Sequence, residues 1–244
     1  MHKFFFLLIL AIPLLTQAKT ADELVKIADN YRQNADEIKV DTLIKLFKND
    51  ALDKERRYDV YIKPGRKSLV ISKTPSEKGQ RVLMLDDKFW ILLPKTKRPI
   101  RITPMQKLLG EASSGDIANM RWHEDYSATF LSSDKNNESA NIELVLSAKR
   151  KGVTYKKIHL SLAPESNFPV KAELYLTSGK LAKIALFEMA MIDERMQVTK
   201  MILKDRIKKN QHTEIEYLEI KPYSLNRKFF NPGYLAKNPT MSIR

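Results

Sequence analysis

The chain has 244 residues and no cysteine, with 43 lysines and arginines against 29 aspartates and glutamates, a net charge of +14. Lack of cysteine excludes disulfides, thiolate metal sites and cysteine nucleophiles together, and also the lipid-modified cysteine of a lipoprotein. With 7 glycines and 11 prolines this is not low-complexity material, and the length suits one large domain with a substantial core.

The first element in chain order is an export signal. Lys3 precedes an apolar run from Phe4 to Leu15, and Thr16-Gln17-Ala18 places small residues at the offsets a cleavage site needs. The run is shorter than the ~20 apolar residues that span a bilayer. Residues 1–18 therefore read as a signal peptide and residues 19–244 as a single, soluble domain delivered to the periplasm. Export also redirects the charge argument. A basic protein in the cytosol suggests nucleic acid, whereas an exported one meets anionic lipids and acidic envelope surfaces. No nucleic-acid partner is expected.

A helix is predicted from Thr20, where Thr20-Ala21-Asp22-Glu23 fits a capping box. Leu24, Ile27, Ala28 and Tyr31 would form its apolar face. After Asp36 the apolar period changes from 3.6 to 2. Strands are predicted near 38–46, 58–62, 69–71, 82–85, 89–93, 142–146, 158–162, 168–176, 181–192, 197–208 and 213–221. Pro64-Gly65, Asp86-Asp87, Lys151-Gly152, Ser178-Gly179 and Asp193-Glu194 stand at the turns. About eleven antiparallel strands in one chain must curl or split into packed sheets. Curling would enclose an apolar interior.

Residues capable of catalysis are sparse. His123, His159 and His212 are scattered, and no metal or cofactor is expected. The segment Gly110 to Gly115 has one residue too many for a nucleophile elbow, so Ser113 and Ser114 are weak candidates and no enzyme is predicted. Apolar binding is better supported. Met84, Phe89, Trp90, Leu92, Met105, Leu108, Leu109, Met120, Phe187 and Met189 are the candidate cavity or lid residues, methionine being suited to variable apolar shapes. Pro94 and Pro99 keep the next segment extended, and Pro104 could open a short helical turn ended by Gly110. Lys95, Lys97, Arg98 and Arg101 form a basic corner between them, placed to meet an acidic headgroup or partner.

The run DDKFWILLPKTKRPIRITPMQKLLGEASSGDI, with Trp90, Pro94, Arg101, Ile102, Gly110 and Asp116 in order, resembles the LolA-like outer-membrane lipoprotein-sorting proteins. KKIHLSLAPESNFPVKAELY and IEYLEIKPYSLNRKFFNPGYL extend the resemblance over nearly all of residues 19–244. It implies a mainly β fold, an incomplete antiparallel barrel with an N-terminal helix and a short helical lid over an apolar cavity. It also implies a monomeric periplasmic carrier of lipid or lipoprotein acyl chains, without chemical turnover. The implied partners are an inner-membrane exporter of the resistance-nodulation-division (RND) type and an outer-membrane acceptor. A lipid or lipoprotein sensor signalling to a membrane partner is the alternative. The best-known carriers have an arginine contacting the lid, and Arg56, Arg57 and Arg66 are all eligible here.

Overall fold

The structure, a computed structural model, describes residues 18–33, 35–96, 98–110, 112–118, 121–131, 141–205 and 210–239, with Lys107 and Leu109 described in backbone only. Residues 1–17 of the signal, Lys97 and Met120 therefore lie outside the described residues.

Helix α1 (Ala21–Asn30) starts as its sequence predicts. The Glu23 amide donates to Thr20 Oγ1 at 3.3 Å and the Thr20 amide donates to Glu23 Oε2 at 2.8 Å. Its buried face, however, is Ala21, Leu24, Val25, Ala28 and Asp29, continuing into Arg32, while Ile27 is only partly buried. The helix is thus rotated from the expected stripe. Two charged residues lie on its inner side, which a purely apolar pattern would leave out.

Fifteen strands follow among the described residues: β1 (Ile38–Lys48), β2 (Ala51–Lys63), β3 (Lys67–Ser72), β4 (Arg81–Leu85), β5 (Lys88–Leu92), β6 (Ile100–Ile102), β7 (Lys107–Leu109), β8 (Ala112–Ser113), β9 (Tyr126–Phe130), β10 (Ile142–Ala148), β11 (Lys157–Leu162), β12 (Pro169–Tyr175), β13 (Leu181–Ile192), β14 (Arg195–Asp205) and β15 (Gln211–Pro222). Thirteen of them make one antiparallel sheet in the order β6-β5-β4-β3-β2-β1-β15-β14-β13-β12-β11-β10-β9. The sheet is open, since its edges β6 and β9 do not pair with each other. All eleven predicted strands are present. The four that were missed are short pieces: β6 and β9 at the edges, and the separate hairpin β7–β8. Too short or too exposed to show an alternating period, they leave little trace in the sequence.

The expected helical lid at 104–110 is instead a turn followed by this hairpin. Ser114 and Gly115 donate their amides to the Gln106 and Pro104 carbonyls, both at 2.8 Å, so these groups bond across the hairpin rather than along a helix. Gly110, at φ 53°, reverses the chain. A positive-φ glycine serves a helix stop and a hairpin equally well, which is why the sequence favoured the wrong alternative.

Two cores form on opposite faces of the sheet. The inner face carries Ile38, Val40 and Ile44 of β1, Met84, Phe89, Leu144, Leu160 and Phe187, and α1 packs on it. The outer core holds Tyr61, Leu69, Leu83 and Leu92 beneath the C-terminal segment, where Leu225, Phe229, Phe230 and Leu235 come from a 3₁₀ turn (Arg227–Phe230) and helix α3 (Pro232–Lys237). Arg81 fastens that segment by donating to the Asn238 carbonyl at 3.0 Å. Strand alternation therefore divides the apolar run of β5: Phe89 and Ile91 face inward, while Trp90 and Leu92 face the outer core. Opposite sides of a strand cannot line one cavity.

Candidate functional site: the inner face and its cover

Three pieces cover the inner face: α1, hairpin β7–β8, and the short helix α2 (Ser114–Ala118). The hairpin inserts Leu108, which is buried, and Met105 packs against the same core. Arg56 donates to the Leu108 carbonyl and pairs with Glu77 at 2.9 Å. The other eligible arginines are engaged elsewhere. Arg57 pairs with Asp41, and Arg66 pairs with Asp125 at 3.0 Å and Asp87 at 2.5 Å. Arg56 is the one that holds the hairpin.

Helix α2 is anchored by a buried polar cluster. Asp116 Oδ2 accepts from Lys183 Nζ and Ser113 Oγ, both at 2.7 Å, and from the Ser113 amide at 2.9 Å. Its Oδ1 accepts from the Tyr155 hydroxyl at 2.6 Å. Burial alone would raise the Asp116 carboxyl, but Lys183, Ser113 and Tyr155 together hold it below the ordinary aspartate value. Burial and the Asp116 charge push the Tyr155 hydroxyl well up, so it stays a donor. Ser113, fully buried and bonded to Asp116, is an anchor inaccessible to substrate. The sequence contained one sign of this cluster: Lys183 occupies the inward phase of β13, in step with Ala185 and Phe187.

A second buried group sits at the end of α1. Asp29 Oδ2 accepts from the Trp122 amide at 2.7 Å and from the His123 amide and Nδ1 at 2.8 Å each. The Arg32 guanidinium lies 4.1 Å over the Trp122 ring and 5.9 Å from the Phe187 ring. Sequence reasoning missed both residues, although Val25, Ala28, Asp29 and Arg32 stand at i, i+3, i+4 and i+7, the spacing of a buried helical face.

The inner face reaches solvent at the tip of the β13–β14 hairpin, turned by Asp193 and Glu194 at φ 46° and 61°. Met189 pairs with inward-facing Val198 and Met191 with Met196, so these methionines extend the Phe187 side of the strand. Met189 is 44% and Met191 61% exposed. Here β14 has parted from β15, whose shared ladder stops at Lys200–Glu216. The Val198 amide donates instead to the Tyr31 carbonyl at 2.7 Å, so the end of α1 plugs the gap. Beneath this plug is a cavity of about 30 Å³ lined by Arg32, Asp116, Trp122, Tyr155, Leu174 and Met201.

Among the predicted cavity residues, Met84, Phe89, Leu108 and Phe187 thus share the inner core, Met105 packs against it and Met189 stands at its rim. Trp90 and Leu92 do not join them, and the Leu109 side chain lies outside the description. The basic corner stands apart as well. Lys95 and Arg98 are exposed in the β5–β6 turn, and Arg101 stacks on Trp90 at 4.6 Å, on the outer face. Among the described residues no group of three or more His, Asp or Glu could hold a metal ion, and no helix is long and apolar enough to cross a membrane.

Comparison with known proteins agrees with this arrangement. A family model described as "Uncharacterized protein" matches residues 65–237. Among curated proteins no sequence matches. Among solved structures, a LolA superfamily protein from Nitrosomonas europaea is 30% identical, with a TM-score of 0.81, covering 89% of this chain and 100% of its own. A putative outer membrane lipoprotein-sorting protein domain from Vibrio parahaemolyticus shares the fold at 20% identity and a TM-score of 0.68, over 88% of this chain and 98% of its own. A DUF1329 family protein from Desulfovibrio piger does so at 18% identity and 0.68, over 88% and 97%. With its open sheet, covered inner face and this degree of identity over its length, the chain belongs to the LolA superfamily.

Proposed function

We propose that the protein is a periplasmic carrier that shelters an acyl chain, of a lipid or a lipoprotein, against the inner face of its sheet. The observation that carries this reading is the exposed methionine rim. Met189 and Met191 continue an apolar wall that starts in the core at Phe187, and the elements over that wall are separate from the sheet. The space under the cover is about 30 Å³, so an acyl chain enters by displacing part of it.

Such exchange has sensible energetics. Each buried methylene is worth about 0.8 kcal/mol, so a chain of about twelve gains on the order of 10 kcal/mol, enough to hamper release. Lifting Leu108 and Met105 away from the core opposes that gain by about 1.5–3 kcal/mol for each fully exposed side chain. Arg56, by holding the Leu108 carbonyl, sets how readily the hairpin lifts. The export signal supports the periplasm as the site of action. An RND-type exporter in the inner membrane and an acceptor at the outer membrane are the proposed donor and recipient.

The test is native mass spectrometry with lipid extraction on protein purified from a bacterial host, together with titration of a fluorescent apolar probe. Co-purifying lipid and probe binding weakened several-fold by Met189→Glu or Met191→Glu, with unchanged melting, are expected. Lipid-free protein that ignores the probe would overturn the carrier reading.

A further inference from the structure

Among the described residues, Arg32 is a buried charge with incomplete hydrogen bonding. It is 2% exposed, yet its Nε and Nη1 have no hydrogen-bond partner. Asp29 is the nearest carboxylate, but its Oδ1 is 3.7 Å from Nη1, beyond hydrogen-bond reach. Its Oδ2 is already taken by Trp122 and His123. The buried Tyr217 hydroxyl stands beside Arg32; burial raises it, and the Arg32 charge and hydrogen bonding oppose that rise. Buried donors are rarely left unpaired, because each costs about 1–3 kcal/mol. Here the guanidinium borders the cavity under α1.

The surroundings of that cavity are those of an amphiphile's polar end. Arg32 rests on the Trp122 ring, and Phe187, itself packed edge-on against Trp122, lies 5.9 Å from the guanidinium. From Phe187 the apolar wall runs along β13 to Met189 and Met191 at the rim. A cationic fork thus stands beside the inner end of an apolar strand face whose outer end is exposed, with the end of α1 between them and solvent. A guanidinium pairs with a planar carboxylate through two parallel hydrogen bonds. The available space, about 30 Å³, is near the volume of one water molecule and favours a compact head over a bulky phosphodiester.

We propose that Arg32 binds the carboxylate of a single-chain fatty acid whose tail lies along Phe187, Met189 and Met191. The inference rests on the carrier reading and deepens it by naming the cargo class. An alcohol at the same place offers one neutral acceptor oxygen in place of the charged, two-oxygen fork partner, so the site discriminates acid from alcohol.

Calorimetric titration of the full protein at pH 8 with dodecanoic acid, dodecanol and a dodecyl lysophosphatidate provides the test. The acid is expected to bind at least about ten-fold more tightly than the alcohol. Arg32→Gln should abolish that preference, bringing the affinity for the acid down to the level of dodecanol. Arg32→Lys, which keeps the charge but not the fork, should retain part of it. Equal affinities of wild-type protein for acid and alcohol would overturn the Arg32 assignment and leave the carrier standing. So would a preference that survives in Arg32→Gln. A preference for lysophosphatidate over the acid, lost in Arg32→Gln, would overturn the carboxylate in favour of a phosphate. Binding of none of the three would overturn the assignment and the carrier reading together. Should Arg32→Gln fail to melt cooperatively, the wild-type comparison of acid with alcohol decides alone.

Discussion

Asp116 and Lys183, 2.7 Å apart and nearly devoid of solvent contact, set the interior's response to acid. Because the folded carboxyl titrates below its ordinary value of 3.8, its contribution to stability is complete above that value and is lost as pH falls through the depressed one. Removing one partner strands the other in a low-dielectric interior. Asp116→Asn should therefore cost about 3–5 kcal/mol at neutral pH, read from urea melts. Below pH 4 the variant should lose less further stability than the wild type. A wild-type slope retained in the variant would place the acid-sensitive group elsewhere. In the sequence, Asp116 was visible as part of the family pattern, whereas Lys183 passed as one residue of an apolar strand. That the two meet, with Ser113 and Tyr155 around the same carboxylate, depends on chain segments 39 and 67 residues away.

Among the elements, hairpin β7–β8 is set apart by being outside the large sheet. It is seated by Leu108, by Arg56 on its carbonyl, and by close packing of Gly110. A Cβ at Gly110 would fall inside contact distance of Thr213 Oγ1 and 2.9 Å from Leu46 Cδ1. Arg56→Ala should accordingly loosen the hairpin and spare the sheet. Amide exchange across residues 107–113 should accelerate by the factor that losing a charge-assisted hydrogen bond of about 1.5–3 kcal/mol implies, while β1 and β15 keep their protection. Equal acceleration in all three would mean that the hairpin opens only with global unfolding. The hairpin was the part of the fold least legible in sequence. Met105, Leu108 and Gly110 carry the spacing of a helical turn, and only contact with β1 and β15 selects the alternative. Helix α1 shows the same limit in milder form: its start was read correctly from Thr20 and Glu23. Leu24, Ala28 and Tyr31 meet the core as expected, but Val25, Asp29 and Arg32 replace Ile27 on the buried side.

For the molecule as a whole, the open sheet is held in its curl by ion pairs between its two halves. Arg66, in the β2–β3 turn, reaches Asp125, just before β9, at 3.0 Å. Arg150, just after β10, reaches Asp86, in the β4–β5 turn, at 3.2 Å. Asp125 and Arg66 are both buried, so Asp125→Ala should cost about 3 kcal/mol. Exchange should rise first in β9 and β10, beside the broken contact. Unchanged exchange there would mean that the inner core alone maintains the curl.

The sequence by itself determined the eleven longer strands, the cap of α1, the hairpin turns and the family, because alternation, capping and turn residues act within a few neighbours. Met84, Phe89 and Phe187, which it named as cavity residues, share the inner core. Only the tertiary structure decided that Trp90, Leu92 and Arg101 belong to the outer side, under or beside the C-terminal segment. It alone brought Asp29, Arg32, Asp116 and Lys183 into the interior. Periodicity sorts residues by polarity, and a charge reads as outward by default. Whether a charge can instead be buried depends on partners supplied from distant strands, which no local pattern contains.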